Sequence, residues 1–590
     1  MKRTIRLMTA IIAFGLLFTA CESEENEIKE NESEENNPIT IIGDIHITED
    51  ISENTTWEAQ YVYYVDQSIN IKNDAILTIE PGTMMKFAPG VILNVANYST
   101  ELGNIIAVGA KDKPIIFTSQ AQLPSSGDWD GIWLWSGASA SKFEHCIFRY
   151  AGNGVDGAIS TNDDARVSID FCNFESIDGY GVCDRNNNQG VFVSFTYNTF
   201  IDNSIKDIKL KGFNVSSIGE GNEFSKDIEV LASDVDAPGD VFWRKLNTDY
   251  LITGDIIVGC NTSTTLIIEA GTTLKFSPSK TIDVAYASTH NGSIVAEGTA
   301  EDPITFTSAA ANPSSGDWDG IRLFSGSTSS KFKHCIIRYA GNGRDGAIST
   351  YEDVRVSIDN CTFESTDGYG VCENNQNQGV FVSFTNNIFI DNSINDLTLR
   401  AFNVSSIGKG NAFEKDIKVM GSAVDAPGDV VWANQNTDYL ITGDITVGCN
   451  TSTTLIIDAG TTLKFSPLKS IEIAYASTCN GMIKAEGTDK DPITFTSAAA
   501  NPSKGDWGHI IFYDGSATGS IFDYCDFSYG GQGANAMIVF KYEQGATTTI
   551  SNCSFSYSEG YGIMKDHADS SNPILMKNMF TDNTLGDKNW

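Results

Sequence analysis

The sequence predicts an all-β chain folded as a single long parallel β-helix solenoid made of three 189-residue units, and three observations carry that expectation. Phrases recur at a fixed offset of 189: Gly82-Thr83-Met84-Met85-Lys86-Phe87, Gly271-Thr272-Thr273-Leu274-Lys275-Phe276 and Gly460-Thr461-Thr462-Leu463-Lys464-Phe465, with Gly127-Asp128-Trp129, Gly316-Asp317-Trp318 and Gly505-Asp506-Trp507 keeping step. A shorter period lies inside each unit: Phe148, Phe174 and Phe200 are 26 apart, as are Ile337, Phe363 and Phe389, and Phe527, Phe555 and Phe580 follow loosely. Runs such as Cys146-Ile147-Phe148-Arg149-Tyr150 alternate over only five positions between Gly, Asn and Asp clusters, which is strand and turn chemistry rather than helical spacing. Short strands that return at this period stack coil on coil. Seven coils of about 27 residues make one unit, and about 540 solenoid residues make on the order of 20 coils, a rod of roughly 100 Å.

Taken in order, residues 1–20 read as a processing segment: Lys2, Arg3 and Arg6 precede an apolar run from Leu7 to Phe18 that is too short to span a bilayer. Leu17-Phe18-Thr19-Ala20-Cys21 resembles a bacterial lipoprotein signal, with Phe18 departing from the more usual Leu. The resemblance implies lipidation at Cys21, a lipid anchor, and an outer-membrane, surface-exposed location. Residues 21–39 form an acidic tether: Glu22 to Asn37 holds eight Glu, one Lys and no aromatic residue, too little apolar surface to order itself. Such acidic runs resemble the surface-export signals of some Gram-negative lipoproteins. Residues 40–590 are the solenoid, in units of approximately 40–228, 229–417 and 418–590.

The coil phrases Ile294-Val295-Ala296-Glu297-Gly298-Thr299, Asp302-Pro303-Ile304-Thr305-Phe306-Thr307-Ser308 and Gly316-Asp317-Trp318-Asp319-Gly320-Ile321 resemble the right-handed parallel β-helix superfamily to which pectate lyases belong. The resemblance covers roughly nine tenths of the chain. It implies right-handed coiling and permits a polysaccharide lyase or glycoside hydrolase, but many functions share this scaffold.

Charge narrows the partners. With 39 basic and 76 acidic residues the formal charge is -37, which repels phosphate backbones, so nucleic acid is excluded as a partner. Arg149 and Arg338, in the repeated Arg-Tyr-Ala-Gly-Asn-Gly phrase, invite a lyase reading. Coil spacing instead places Arg149 on Glu175 and Arg338 on Glu364 as structural ion pairs, and Ser528 and Ser556 replace both partners in the third unit. Cys146 with Cys172, Cys335 with Cys361 and Cys525 with Cys553 read as inward ladders of free thiols rather than disulfides. Asp234, Asp236, Asp240, Asp425 and Asp429 offer oxygens to calcium, the one cofactor considered, and the same Asp-Ala-Pro-Gly-Asp phrase is ordinary turn chemistry.

Aromatic side chains are the better functional clue. Strand alternation points Trp133 and Trp135 outward, Trp135 matches Phe324 and Tyr513 at the unit spacing, and Trp129, Trp318 and Trp507 recur. Seven whole turns per unit place equivalent rings along one flank about 34 Å apart. Exposed flat rings stack on sugar faces, so these seven residues are the candidate glycan contacts. No acid, base or metal centre emerges from the spacing. The expectation is a monomeric, tethered β-helix that binds polysaccharide or a cell-surface partner without catalysis; an enzyme of lyase or hydrolase type and an architectural or adhesive spacer are the alternatives.

Overall fold

The computed structural model describes residues 39–590, apart from 98–100, 187–189, 287–290, 375–378, 476–479, 514–518, 542–546, 568–569 and 571. Cys21, the signal segment and nearly all of the acidic tether lie outside the described residues. From Ile41 onward the chain is one solenoid of the right-handed parallel type with about 19 turns. Each turn carries three short strands, such as Tyr61–Val65, Ile69–Ile71 and Ala75–Ile79, and each strand pairs in parallel with those one turn before and after. Among the described residues, helix is confined to two short 3-10 turns, Gly212–Ser217 and Ala401–Ser406.

Alternation within strands builds the interior. In Ala75–Ile79 the side chains of Ala75, Leu77 and Ile79 are buried, while Ile76 and Thr78 face out. Inward positions stack into columns whose spacing is the strand spacing of a parallel sheet. Phe117, Phe148, Phe174, Phe200 and Phe224 form one such column, with ring centroids 4.7, 5.0, 4.9 and 5.2 Å apart. Phe495, Phe527, Phe555 and Phe580 form its third-unit counterpart at 4.7, 4.8 and 5.1 Å. Offset stacking of this kind adds to the burial of each ring, so the 26-residue period is an energetic repeat as well as a geometric one.

The units differ from the seven-turn expectation in one respect that matters for function. Strands Ile92–Val95, Gly131–Leu134 and Lys206–Lys211 lie on the second face of unit 1, and their sheet continues into Ile228–Leu231, Tyr250–Ile252 and Thr273–Phe276, on the first face of unit 2. The same shift recurs at Asn395–Arg400 and Ile417–Met420, where the second face of unit 2 becomes the first face of unit 3. A unit of 189 residues therefore spans seven turns and one further face, or seven and a third turns, which agrees with a 26-residue lap and not with 27. Equivalent residues of successive units sit on successive faces, so the expected single aromatic flank does not form. At each junction only one of the three sheets runs through.

Candidate functional site

The middle of the second face of unit 1 holds the residues on which the functional expectation rests. In Gly131–Leu134, Ile132 and Leu134 are fully buried and Trp133 points outward, in register with Asn94 on one neighbouring strand and Ser160 on the other. Trp135 follows directly, its ring centroid 6.1 Å from that of Trp133 and tilted by 53°. The Trp135 indole donates to Asn94 Oδ1 at 3.3 Å, whereas Trp133 Nε1 is enclosed with no hydrogen-bond acceptor. Both rings are half-buried. The arrangement is a partly covered aromatic corner with one unsatisfied donor, a costly state unless an acceptor arrives.

Beside this corner the strand Gly152–Asp163 is lengthened by a register shift between Gly152 and Gly157, a bulge that re-aims the Asn153 to Asp156 segment. Asp156 is almost fully buried; it takes an ion pair from Arg185 Nη2 at 2.5 Å and a hydrogen bond from Asn153 Nδ2 at 3.2 Å. Burial, together with the charge of Asp156, raises the carboxyl of neighbouring Asp130 above its ordinary range. Asp130 is thus pushed toward its neutral form beside an aspartate that sits in an ion pair with Arg185.

Units 2 and 3 vary the theme. Arg322 stands where unit 1 has Trp133 and grips Asp283 with two bonds, Nε to Oδ1 at 2.7 Å and Nη2 to Oδ2 at 2.8 Å. Phe324 stacks on Tyr351 at 4.8 Å, with Tyr286 edge-on at 5.1 Å, and Tyr351 donates to Asp345 Oδ1 at 2.7 Å. In unit 3 Ile511 takes the Trp133 position, Tyr475 meets Tyr513 edge-on at 5.1 Å, and Lys541 Nζ lies 5.8 Å from the Tyr513 ring. Tyr286 and Tyr475 are both exposed. They were not among the sequence candidates, although they recur 189 residues apart in the same Ala-Tyr-Ala-Ser-Thr phrase.

Several sequence candidates fall elsewhere. Trp129, Trp318 and Trp507 are fully buried, which removes them as sugar platforms. Each stacks flat on a core ring, Phe87 at 4.0 Å, Phe276 at 4.0 Å and Phe465 at 4.5 Å, and its indole donates to a carbonyl, of Arg149, Arg338 and Ser528 respectively. The Gly-Asp-Trp turn folds the ring inward. Arg149 Nε binds Glu175 Oε2 at 2.7 Å across adjoining strands. Arg338 and Glu364 share the equivalent register, but the Arg338 Nε donates to Thr307 Oγ1 at 3.1 Å and its guanidinium lies over Tyr339, so the second expected ion pair is corrected to a hydrogen bond.

The acidic turn residues are exposed or bonded to backbone amides. Asp234, Asp240 and Asp429 are exposed, while Asp236 accepts from the amides of Asn261 and Thr262 and Asp425 from those of Asn450 and Thr451. Among the described residues no three acidic, histidine or cysteine side chains converge as metal ligands. The ladder cysteines are buried free thiols, and burial pushes Cys146, Cys335 and Cys525 well above the usual thiol range.

No curated protein and no solved structure matches the chain. A family model described as a pectate-lyase like β-helix domain matches residues 49–158, 237–338 and 424–537, one block per unit and more than half of the sequence. Each block covers one aromatic pair, Trp133 with Trp135, Tyr286 with Phe324 and Tyr475 with Tyr513. With its stacked parallel turns, its threefold repeat and its match in all three units, the chain belongs to the pectate-lyase like β-helix domain family, whose fold points to a polysaccharide-related role.

Proposed function

We propose that this chain is a lipid-anchored, surface-exposed β-helix that binds polysaccharide without cleaving it, held to the outer membrane through Cys21. The observation that carries the reading is the Trp133 and Trp135 corner, two half-buried rings 6.1 Å apart on the outside of one strand. Aromatic rings supply flat apolar area for a sugar face, which the half-buried Trp133 and Trp135 leave in part open. The Phe324 with Tyr286 and Tyr513 with Tyr475 pairs repeat the aromatic motif. The formal charge of -37 favours neutral polysaccharides over polyuronates, which it repels. Affinity electrophoresis in gels containing neutral polysaccharides tests this. Retention is expected for the native chain and a loss of at least tenfold in affinity for Trp133→Ala with Trp135→Ala. Unchanged retention in that variant overturns the corner as the binding site, and no retention of the native chain moves it to the architectural spacer reading.

A second reading has one observation behind it. Burial raises the Asp130 carboxyl beside Asp156 and the Asp319 carboxyl near Asp345, and a raised carboxyl beside a second one is what the general acid of a glycoside hydrolase needs. Release of new reducing ends that disappears with Asp130→Asn and Asp319→Asn favours hydrolysis over binding.

A further inference from the structure

The unit junctions hold two matching cavities. The third face of unit 1 ends at Phe192–Thr196, and the next pass of the chain over that face is the 3-10 turn Gly212–Ser217, which makes no ladder; Ser233–Val235 then begins a new sheet. A short turn fills less space than a strand and leaves a cavity of about 230 Å³ lined by Gly190, Phe213, Ser216, Ser217, Asp236 and Val241. The second junction repeats the device with Ala401–Ser406 and a cavity of about 220 Å³ lined by Gly379, Phe402, Ser405, Ser406, Asp425 and Val430. All eight residues lining the first cavity recur in the second at an offset of 189, where Asn403 joins them. Each cavity takes one wall from the end of a unit and the other from the start of the next. The first unit has Ile47 and Ser52 where the later ones have the Asp and the Val, so no third copy arises there.

We propose that the two junction cavities are equivalent subsites, each seating one uncharged sugar residue of a polysaccharide; this rests on the polysaccharide reading above and extends it to a second place on the chain. Pockets for drug-sized ligands run from about 300 Å³ upward, so cavities of this size suit a single ring. Phe213 is half-buried and offers a flat apolar face, Val241 closes the apolar side, and the hydroxyls of Ser216 and Ser217 supply polar partners at the mouth. Asp236 and Asp425 put a carboxylate in each lining, while the guanidiniums of Arg166 and Arg355 lie behind it, donating to the carbonyls of Gly190 and Gly379, so the lining itself admits a neutral sugar and opposes a uronate. Burial acts to raise Asp236, but hydrogen bonds from Asn261 and Thr262 outweigh it and keep the carboxyl below its usual range, so the wall stays negative. Seven and a third turns separate the sites, roughly 35 Å along the axis at the strand spacing and one face around. A tetrasaccharide occupies one site; only a long chain that winds with the solenoid reaches both, and it gains from local concentration at the second.

Titration calorimetry on the full chain carrying Trp133→Ala and Trp135→Ala tests the subsites separately from the aromatic corner. The probes are cello-, manno-, xylo- and chitotetraose, with tetragalacturonate as the charged control. Two equal sites are expected for at least one neutral probe, one site after Phe213→Ala or Phe402→Ala, and none after both. Ser216→Trp and Ser405→Trp, which plug the mouths from exposed positions, give the same losses if the Phe variants fold poorly. Absence of neutral-probe binding in this background overturns the inference while leaving the aromatic corner standing. Stoichiometry indifferent to Phe213 and Phe402, or equal affinity for tetragalacturonate, overturns it too. Two sites that persist here while polysaccharide retention ignores Trp133 and Trp135 overturn the corner and leave the subsites.

Discussion

Lys209 and Glu229 lie side by side on adjoining parallel strands, and their pairing joins the second face of one unit to the first face of the next. Twenty residues separate them, fewer than the usual lap, because the intervening pass is carried by the 3-10 turn Gly212–Ser217. The one-face advance of each unit follows from that connection.

Core and surface tryptophans separate cleanly by experiment. Trp129→Ala removes a fully buried ring stacked on Phe87 and is expected to cost about 3–5 kcal/mol in urea unfolding with no change in polysaccharide retention. Trp133→Ala with Trp135→Ala is expected to show the reverse pattern, a small stability change and lost retention. A Trp129 variant that folds normally but no longer binds contradicts the assignment.

The two Arg and Glu registers are expected to differ. A double-mutant cycle on Arg149 and Glu175 reads a coupling of roughly 0.2–1 kcal/mol that fades in high salt, as for partly exposed pairs. The same cycle on Arg338 and Glu364 reads near zero, since Arg338 spends its Nε on Thr307. Coupling of equal size in both cycles refutes the difference.

Acid titration acts in opposite senses at two aspartates. Hydrogen bonds from Asn261 and Thr262 overcome burial to depress the Asp236 carboxyl below 3.8, so its contribution is present above that value and is lost as pH falls through the lower folded value. Asp236→Asn is therefore expected to lower Tm at about pH 7 and to matter little at about pH 2. Burial and the Asp156 charge raise Asp130, so its ionisation opposes folding at neutral pH and the penalty vanishes below its unfolded value. Asp130→Asn should raise Tm at about pH 7 and leave it unchanged at about pH 3.

Much of the fold was legible because it is periodic. The 26-residue column of Phe148, Phe174 and Phe200 announces a lap length, and the register it implies places Arg149 on Glu175 where the structure has them. Rounding that lap to 27 hid the extra face, since a third of a turn is lost in one residue per coil. The 3-10 turns were illegible for a different reason: Gly212-Phe213-Asn214-Val215-Ser216-Ser217 has no alternation to mark it off from a loop. For the candidate site, alternation correctly turned Trp133 outward, but it does not govern Trp129, which a tight turn folds onto Phe87. Tyr286 meets Phe324 just past the paired Val284 and Leu323, a contact set by the 39-residue offset between those two strands and not by the 26-residue lap.

The anchor is open to a direct test. Cys21→Ala is expected to abolish incorporation of labelled fatty acid and to release the chain from the membrane fraction, with polysaccharide retention of the released chain intact. Incorporation that survives the substitution refutes lipidation at that residue.

Because every repeat begins a third of a revolution beyond the last, the molecule shows a version of the same surface to three compass directions instead of one. Copies of one surface position in successive units therefore look out on different sides, and a change made in one unit leaves the outlook of the other two untouched.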